Sequence, residues 1–154
     1  MNTNPCSTHA CTIEELNATL KAALRAHGTR YDLRDIESGV LMCCETTSTH
    51  QKKGVFGGTE TTISAVYVTP KWLVWANSAG GRAAEAGSVQ LLQAEVHNYE
   101  TTAMFAVIPN QGLNITGRYT GGNKTGITFI SLESKSDGQN FRCTLDEALN
   151  NAAK

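Results

Sequence analysis

Cysteine and histidine are the residues whose types and spacing come nearest to chemistry. Cys6, His9 and Cys11 cluster near the start of the chain, and a structural zinc site takes four Cys or His groups in tetrahedral geometry. A further ligand would have to come from His27, Cys43, Cys44, His50 or Cys143. The Cys-x4-Cys spacing is looser than a zinc knuckle and no second pair answers it, so no metal is expected. A cysteine activated by His50 or His97 is the corresponding catalytic reading. Neither cysteine-bearing stretch carries a local nucleophile signature, and Asp32, Asp35 and Glu37 read as turn residues. A noncatalytic chain without a cofactor is therefore expected. The segment Thr120-Gly-Gly-Asn-Lys-Thr125 ends as nucleotide-binding loops end. A phosphate loop, however, needs Gly-x-x-x-x-Gly-Lys-Ser/Thr opening a helix. Here Asn123 precedes Lys124 and a strand pattern follows, which excludes it.

Charge narrows the partners. Thirteen Lys and Arg stand against 14 Asp and Glu, a formal net charge of −1 over 154 residues, so nothing in the balance marks a nucleic-acid binder. Any anion site must be a local patch. Met1 to Thr12 is polar and holds no Lys or Arg, unlike the charged and apolar start of a secretory signal. The longest apolar run, Ala103 to Ile108, falls far short of the ~20 residues of a membrane helix. The expectation is a cytoplasmic protein with no transmembrane segment, whose five cysteines stay mostly reduced.

Periodicity sets out the elements that must position these residues. Thr12 and Glu15 form a Thr-x-x-Glu capping box, and Ile13, Leu16, Leu20, Ala23, Leu24 and His27 follow at helical spacing up to Gly28. This predicts an amphipathic helix behind a loose arm over 1–11. From 39 onward, short β-branched and aromatic runs are punctuated by Gly, Asn, Asp and Pro. They predict strands near 40–47, 60–69, 71–77, 89–100, 113–119, 126–134 and 139–143. Thr61 to Val68 and Ile127 to Leu132 alternate most cleanly, as strands with one buried and one wet face do. Asp137-Gly138 reads as the turn of the last hairpin. A second capping box, Thr144-x-x-Glu147, predicts a C-terminal helix with Leu145, Ala148, Leu149 and Ala152 on its apolar face. The expected fold class is mainly β with flanking helices. Residues 39–154 would form an open antiparallel barrel of about seven strands capped by that helix, and 1–38 the N-terminal arm and amphipathic helix.

Four segments carry a resemblance. Tyr67-Val-Thr-Pro-Lys-Trp-Leu-Val-Trp75 looks like a second-to-third strand hairpin, Gly112-Leu-Asn-Ile-Thr-Gly-Arg118 and Gly126-Ile-Thr-Phe-Ile-Ser-Leu132 look like later strands, and Phe141-Arg-Cys-Thr-Leu-Asp-Glu-Ala-Leu149 looks like a last strand running into a capping helix. Over residues 39–153 the chain thereby resembles bacterial pleckstrin-homology-like domains and their GRAM-type relatives. The resemblance implies no enzymatic activity. It implies a scaffold for phosphoinositide headgroups, peptides or other proteins, often an oligomerising one.

On that scaffold the loops around 48–58, 78–88 and 134–138 would converge at the open end of the barrel. They would gather Lys52, Lys53, Arg82 and Lys135 into a rim for an anionic lipid headgroup or small anion. Headgroup-binding relatives carry a Lys followed later by Lys/Arg-x-Arg, whereas Thr59 to Val68 supplies no Lys or Arg. Trp72 and Trp75 fall on opposite faces of one strand by their odd spacing. One of them is thus left either for an interface or for cover by the N-terminal helix. The leading expectation is a noncatalytic binding or assembly module acting through a protein partner or self-association. The alternatives are anion binding at the rim and a lipocalin-like small-molecule carrier with a hollow barrel.

Overall fold

The computed structural model describes residues 5–51 and 58–154. Its strands form two antiparallel sheets. The five-stranded sheet runs in chain order: β1 (Cys6–Ala10), β2 (Met42–Gln51), β3 (Thr59–Val68), β4 (Trp72–Ala79) and β5 (Glu85–Gln90). The three-stranded sheet holds β6 (Ala94–Asn98), β7 (Gly112–Arg118) and β8 (Thr125–Ser131). Two α-helices complete the fold, α1 (Ala18–Arg30) and α2 (Ser136–Ala152). Neither sheet closes on itself. Side chains bridge the gap between β1 and the residues after β8. Thr8 N–H donates to Glu133 Oε2 at 3.1 Å, Glu133 N–H donates to Thr8 Oγ1 at 2.9 Å, and the Thr8 and Thr46 hydroxyls are 2.8 Å apart.

The core lies on both faces of the larger sheet. Cys44, Val66 and Trp75 stand abreast on β2, β3 and β4 and pack toward the second sheet and α2, meeting Ile115, Ile130 and Phe141. Their chain neighbours Cys43, Ala65, Tyr67 and Val74 belong to a second cluster, under Leu16, Leu20, Leu24 and Ile36. Side chains of this size contribute about 1.5–3 kcal/mol each when fully buried. Six consecutive residues of the β3 segment, Ser64 to Thr69, are consequently buried. The expected wet face of this strand does not exist because α1 covers it. On β8 the alternation holds: Ile130 is buried and Ile127 is 75% exposed.

Residues 6–10 of the expected loose arm are a strand: β1 pairs with β2 in the register Cys6 to Ser48 and Ala10 to Cys44, and Glu133 and Asp137 accept from the Thr8 and Ala10 amides. The Thr12–Glu15 capping box is present but closes only a 3-10 turn, Ile13–Glu15. The helix proper starts after Asn17, whose Oδ1 accepts from Thr19 N–H at 2.9 Å, and it continues past Gly28 to Arg30.

Two other expectations fail for steric reasons. The stretch 89–100 is not one strand, since the chain must leave one sheet for the other. A 3-10 turn at Leu91–Gln93 makes the transfer, with Leu91 N–H donating to Lys71 O at 2.9 Å and Leu91 buried. Residues 139–143 are helical, and Asp137-Gly138 lies in the first turn of α2 rather than in a hairpin. Gly138 serves close approach: a Cβ there would lie 2.0 Å from the Glu133 carbonyl oxygen. Thr144 is therefore mid-helix, its hydroxyl donating to Asn140 O at 3.0 Å.

α2 is anchored by a buried ion pair. Arg142, 5% exposed, pairs with Glu100 and also donates to Leu132 O at 2.9 Å, while the Glu100 carboxylate accepts Gly112 N–H at 2.7 Å. Truncating Glu100 to Ala leaves a buried cation without its counter-charge, an expected loss of about 3 kcal/mol in urea unfolding. In the same assay Gly138→Ala is expected to cost about 1–3 kcal/mol through overpacking. Thr144→Ala should change stability by no more than ~0.5 kcal/mol; a loss near the ~1 kcal/mol of a helix cap would instead place the helix start at Thr144.

Candidate functional site

Along the inner face of β2, β3 and β4 the chemistry changes while the face does not. The row Cys44, Val66, Trp75 is followed by Thr46, Ser64, Asn77 and then by Ser48, Thr62, Ala79. Residues two apart on a strand share a face, so hydroxyls and an amide take over where apolar side chains stop. A cleft of about 220 Å³ opens there between the sheets. Ser48, Thr49, Thr62, Ser64 and Asn77 line it from the larger sheet, and Phe129, Ile130 and Ser131 from β8, with Asn110 beside them. The Ser48 and Ser131 hydroxyls are 3.4 Å apart across it.

Among the described residues no ionisable side chain lines this cleft. Hydroxyls and amides both donate and accept, and Phe129 and Ile130 add an apolar surface, so the site suits an uncharged polar molecule. Ser64 is its most telling member. It is 2% exposed, and its Oγ has no hydrogen-bond partner among the described residues. A buried polar atom left unpaired costs about 1–3 kcal/mol. Sequence reasoning missed this site, because Thr46, Ser48, Thr62 and Ser64 read only as strand residues. Their shared face becomes visible once the register of β2 with β3 is known.

The residues expected to form an anion rim are not brought together among the described residues. Lys52 and Lys53 lie outside those residues. Arg82 is exposed and ion-paired with Glu60 at 3.3 Å. Lys135 is exposed at the N-cap position of α2. Two residues on, Asp137 Oδ2 accepts Ala10 N–H at 2.8 Å, opposite Cys44, whereas Glu60 lies opposite His50. Six positions of β2 separate those rows, about 20 Å at the strand rise of ~3.3 Å per residue.

The tryptophans do face opposite ways. Trp75 is 4% exposed, edge-on to Tyr119 at 4.9 Å, with its ring over Gly87, where a Cβ would meet it at 2.6 Å. It is core, so the expectation of Trp75 as an interface residue is corrected. Trp72 is half-buried against the cluster beneath α1.

Four of the thiols are held away from their reactive form. Burial pushes Cys6 up to about 11 and Cys44 up to about 12, and it raises Cys11 and, more strongly, Cys43. Such thiols carry little thiolate at neutral pH. His97 is exposed and bonded to Glu95 at 2.8 Å. Among the described residues no three His, Cys, Asp or Glu side chains converge as a metal-holding group.

His27 is tied into the fold. His27 Nε2 lies 2.8 Å from Ser88 Oγ, which donates to Thr120 Oγ1 at 2.7 Å. Ser88 has one hydroxyl proton and uses it on Thr120, so His27 is the donor and carries its proton on Nε2. This chain ties α1 to β5 and to the turn after β7. Ser88 is fully buried, which leaves it no access to a substrate. Helical spacing identified His27, but its partner lies 61 positions away and leaves no local signal.

No protein-family model, curated protein or solved structure matches the chain. The geometry of the site therefore carries its interpretation.

Burial, with Arg30 nearby, lowers the His27 pKa below 6.5. The unfolded chain then takes up a proton more readily than the folded one, so stability is full above about pH 6.5 and falls as pH drops through the lowered value. Urea midpoints of the native chain and of His27→Gln, measured on both sides of that window, should diverge: the native chain should lose more stability on acidification. Parallel curves would show that His27 carries no such linkage.

Proposed function

We propose that the chain is a noncatalytic binding domain of pleckstrin-homology-like architecture that takes a small uncharged polar ligand into the cleft between its two sheets. The observation that carries this reading is the buried, unpartnered Ser64 hydroxyl in a cleft lined by hydroxyls and amides. Filling those rows with apolar side chains would be more stable for a purely structural sheet, because each unmet polar atom costs free energy without return. The cleft's ~220 Å³ is below the ~300–1,000 Å³ of drug-sized pockets, a size suited to a single sugar or polyol. The architecture is supported by order: β2 through β8 are seven strands followed by α2, and β1 and α1 are additions to that plan. Phe141, Leu145 and Ala148 of α2 enter the core between the sheets, as a plug at one barrel end would.

An anionic ligand finds less support among the described residues, where Arg82 is committed to Glu60 and no cation lines the cleft. A second reading, assembly through protein contacts, is favoured by one observation. In the 103–108 stretch Met104, Val107 and Ile108 are each at least half exposed. Light scattering across a dilution series that finds only monomer at every concentration removes it.

The ligand reading is checked by amide NMR titration with neutral myo-inositol and glucose beside inositol hexakisphosphate. Neutral polyols should shift the amides of Ser48, Ser64, Asn77 and Ser131. Ser64→Ala should weaken their binding about tenfold, equivalent to ~1.4 kcal/mol, while raising the urea midpoint of the free chain, because the unpaired hydroxyl is gone. A response to the polyphosphate alone, centred on Arg82, would favour the anion rim, and no response to any neutral probe would sink the proposal.

A further inference from the structure

Cys11 stands directly opposite Cys43. The register that pairs Ala10 with Cys44 continues by one residue, and Cys11 N–H donates to Cys43 O at 3.0 Å. Directly opposed residues in a hydrogen-bonded antiparallel pair have Cα atoms about 5.5 Å apart, within the range a disulfide spans. Both side chains belong to the same cluster beneath α1, Cys43 buried at its centre and Cys11 half-buried at its edge. The other cysteines lie elsewhere. Cys44 faces Asp137 on the opposite side of the sheet, Cys6 pairs with Ser48, and Cys143 is exposed on α2.

We propose that Cys11 and Cys43 form a redox site, in which a low-molecular-weight disulfide such as oxidised glutathione converts them into a cross-strand disulfide fastening β1 to β2. Cys11, the more accessible thiol, attacks one sulfur of the oxidant, forming a mixed disulfide and releasing one glutathione thiolate, which takes the proton Cys11 gave up. The Cys43 sulfur then attacks Cys11 Sγ, the mixed bond breaks, and a second glutathione leaves carrying the second proton. Two protein thiols are oxidised and one glutathione disulfide is reduced to two thiols. The attacking species is the thiolate, so burial makes the steps slow near neutrality and faster in alkali. The same burial leaves the reduced pair without the thiolate stabilisation that makes some disulfides strongly oxidising. Once formed, the bond should therefore resist reduction.

β1 is a five-residue edge strand, held otherwise by its β2 ladder, by Thr8 with Glu133 and by Ala10 with Asp137. Its Cys6 and Thr8 flank Ser48 and Thr46, the rows that run into the cleft.

The test uses the full chain treated with oxidised glutathione in mildly alkaline buffer, then denatured, alkylated, weighed intact and peptide-mapped. The expected product has lost two hydrogens, retains three alkylatable cysteines of five, and yields a Cys11–Cys43 cross-linked peptide. Cys143→Ser should behave identically, and Cys11→Ser should lose the cross-link. Hydrogen exchange should slow at the β1 amides on oxidation and recover on reduction. Glutathione carried on Cys143 alone, with Cys11 and Cys43 still alkylated, would overturn the proposal, as would an internal bond between any other two cysteines.

Discussion

Burial of β2, β3 and β4 on both faces is the constraint from which the rest of the molecule follows. A sheet covered on one side needs apolar residues at alternate positions only. One covered on both sides needs near-continuous apolar runs, and Ala65-Val-Tyr-Val68 and Leu73-Val-Trp-Ala76 are such runs. One cover is α1 with Leu16 and Ile36, and the other is the second sheet with α2. Each must be delivered by its own connection. This explains why the chain spends residues 6–30 on an edge strand, a 3-10 turn and a helix, and why Leu91–Gln93 breaks what would otherwise be one long strand.

Continuity of apolar packing ends before the strands do. Past Cys44, Val66 and Trp75 the inner face turns to Thr, Ser and Asn, and past that row no helix among the described residues seals the space between the sheets. α2 fills the opposite end with Phe141, Leu145 and Ala148. A peptide helix can plug an apolar end cheaply because its stripe matches the walls, whereas a hydroxyl-lined end rewards water or a ligand. The polarity gradient along three strands thus assigns the roles of the two ends, one structural and one open.

How much of this was legible depended on whether the signal was local. The apolar stripe of α1, the hairpin of β3 with β4, and the strands at 112–118 and 125–131 were readable because periodicity and turn residues lie within one segment. The final helix was read as starting eight residues late, at Thr144 instead of Ser136. Asp137-Gly138 carries the composition of a hairpin turn, and the glycine's real task is contact with the Glu133 backbone, which no local pattern encodes. β1 was hidden for a different reason: Cys6-Ser-Thr-His-Ala10 has little strand propensity and is held by pairing with β2 and by Glu133 and Asp137. The candidate site shared that obscurity. Its residues are ordinary strand hydroxyls, and only register places Ser48, Thr62 and Ser64 around one space, while Arg82 and Lys135, which stood out by charge, are not among its described lining.

Two side-chain atoms are left buried and unpartnered among the described residues, Ser64 Oγ and Arg142 Nε, and the contrast between them bears on function. Arg142 satisfies its remaining guanidinium through Glu100 and Leu132 O. Its Nε deficit is the remainder of a network that fixes α2 against both the 3-10 turn Tyr99–Thr101 and β7. Ser64 has no such network. Its hydroxyl joins nothing among the described residues, and it sits at the point where the inner face changes from apolar to polar. An orphan that holds structure together is explained by the bonds around it; an orphan with none is explained by what enters from outside. That asymmetry, more than the volume of the cleft, directs attention to the open end of the sheets.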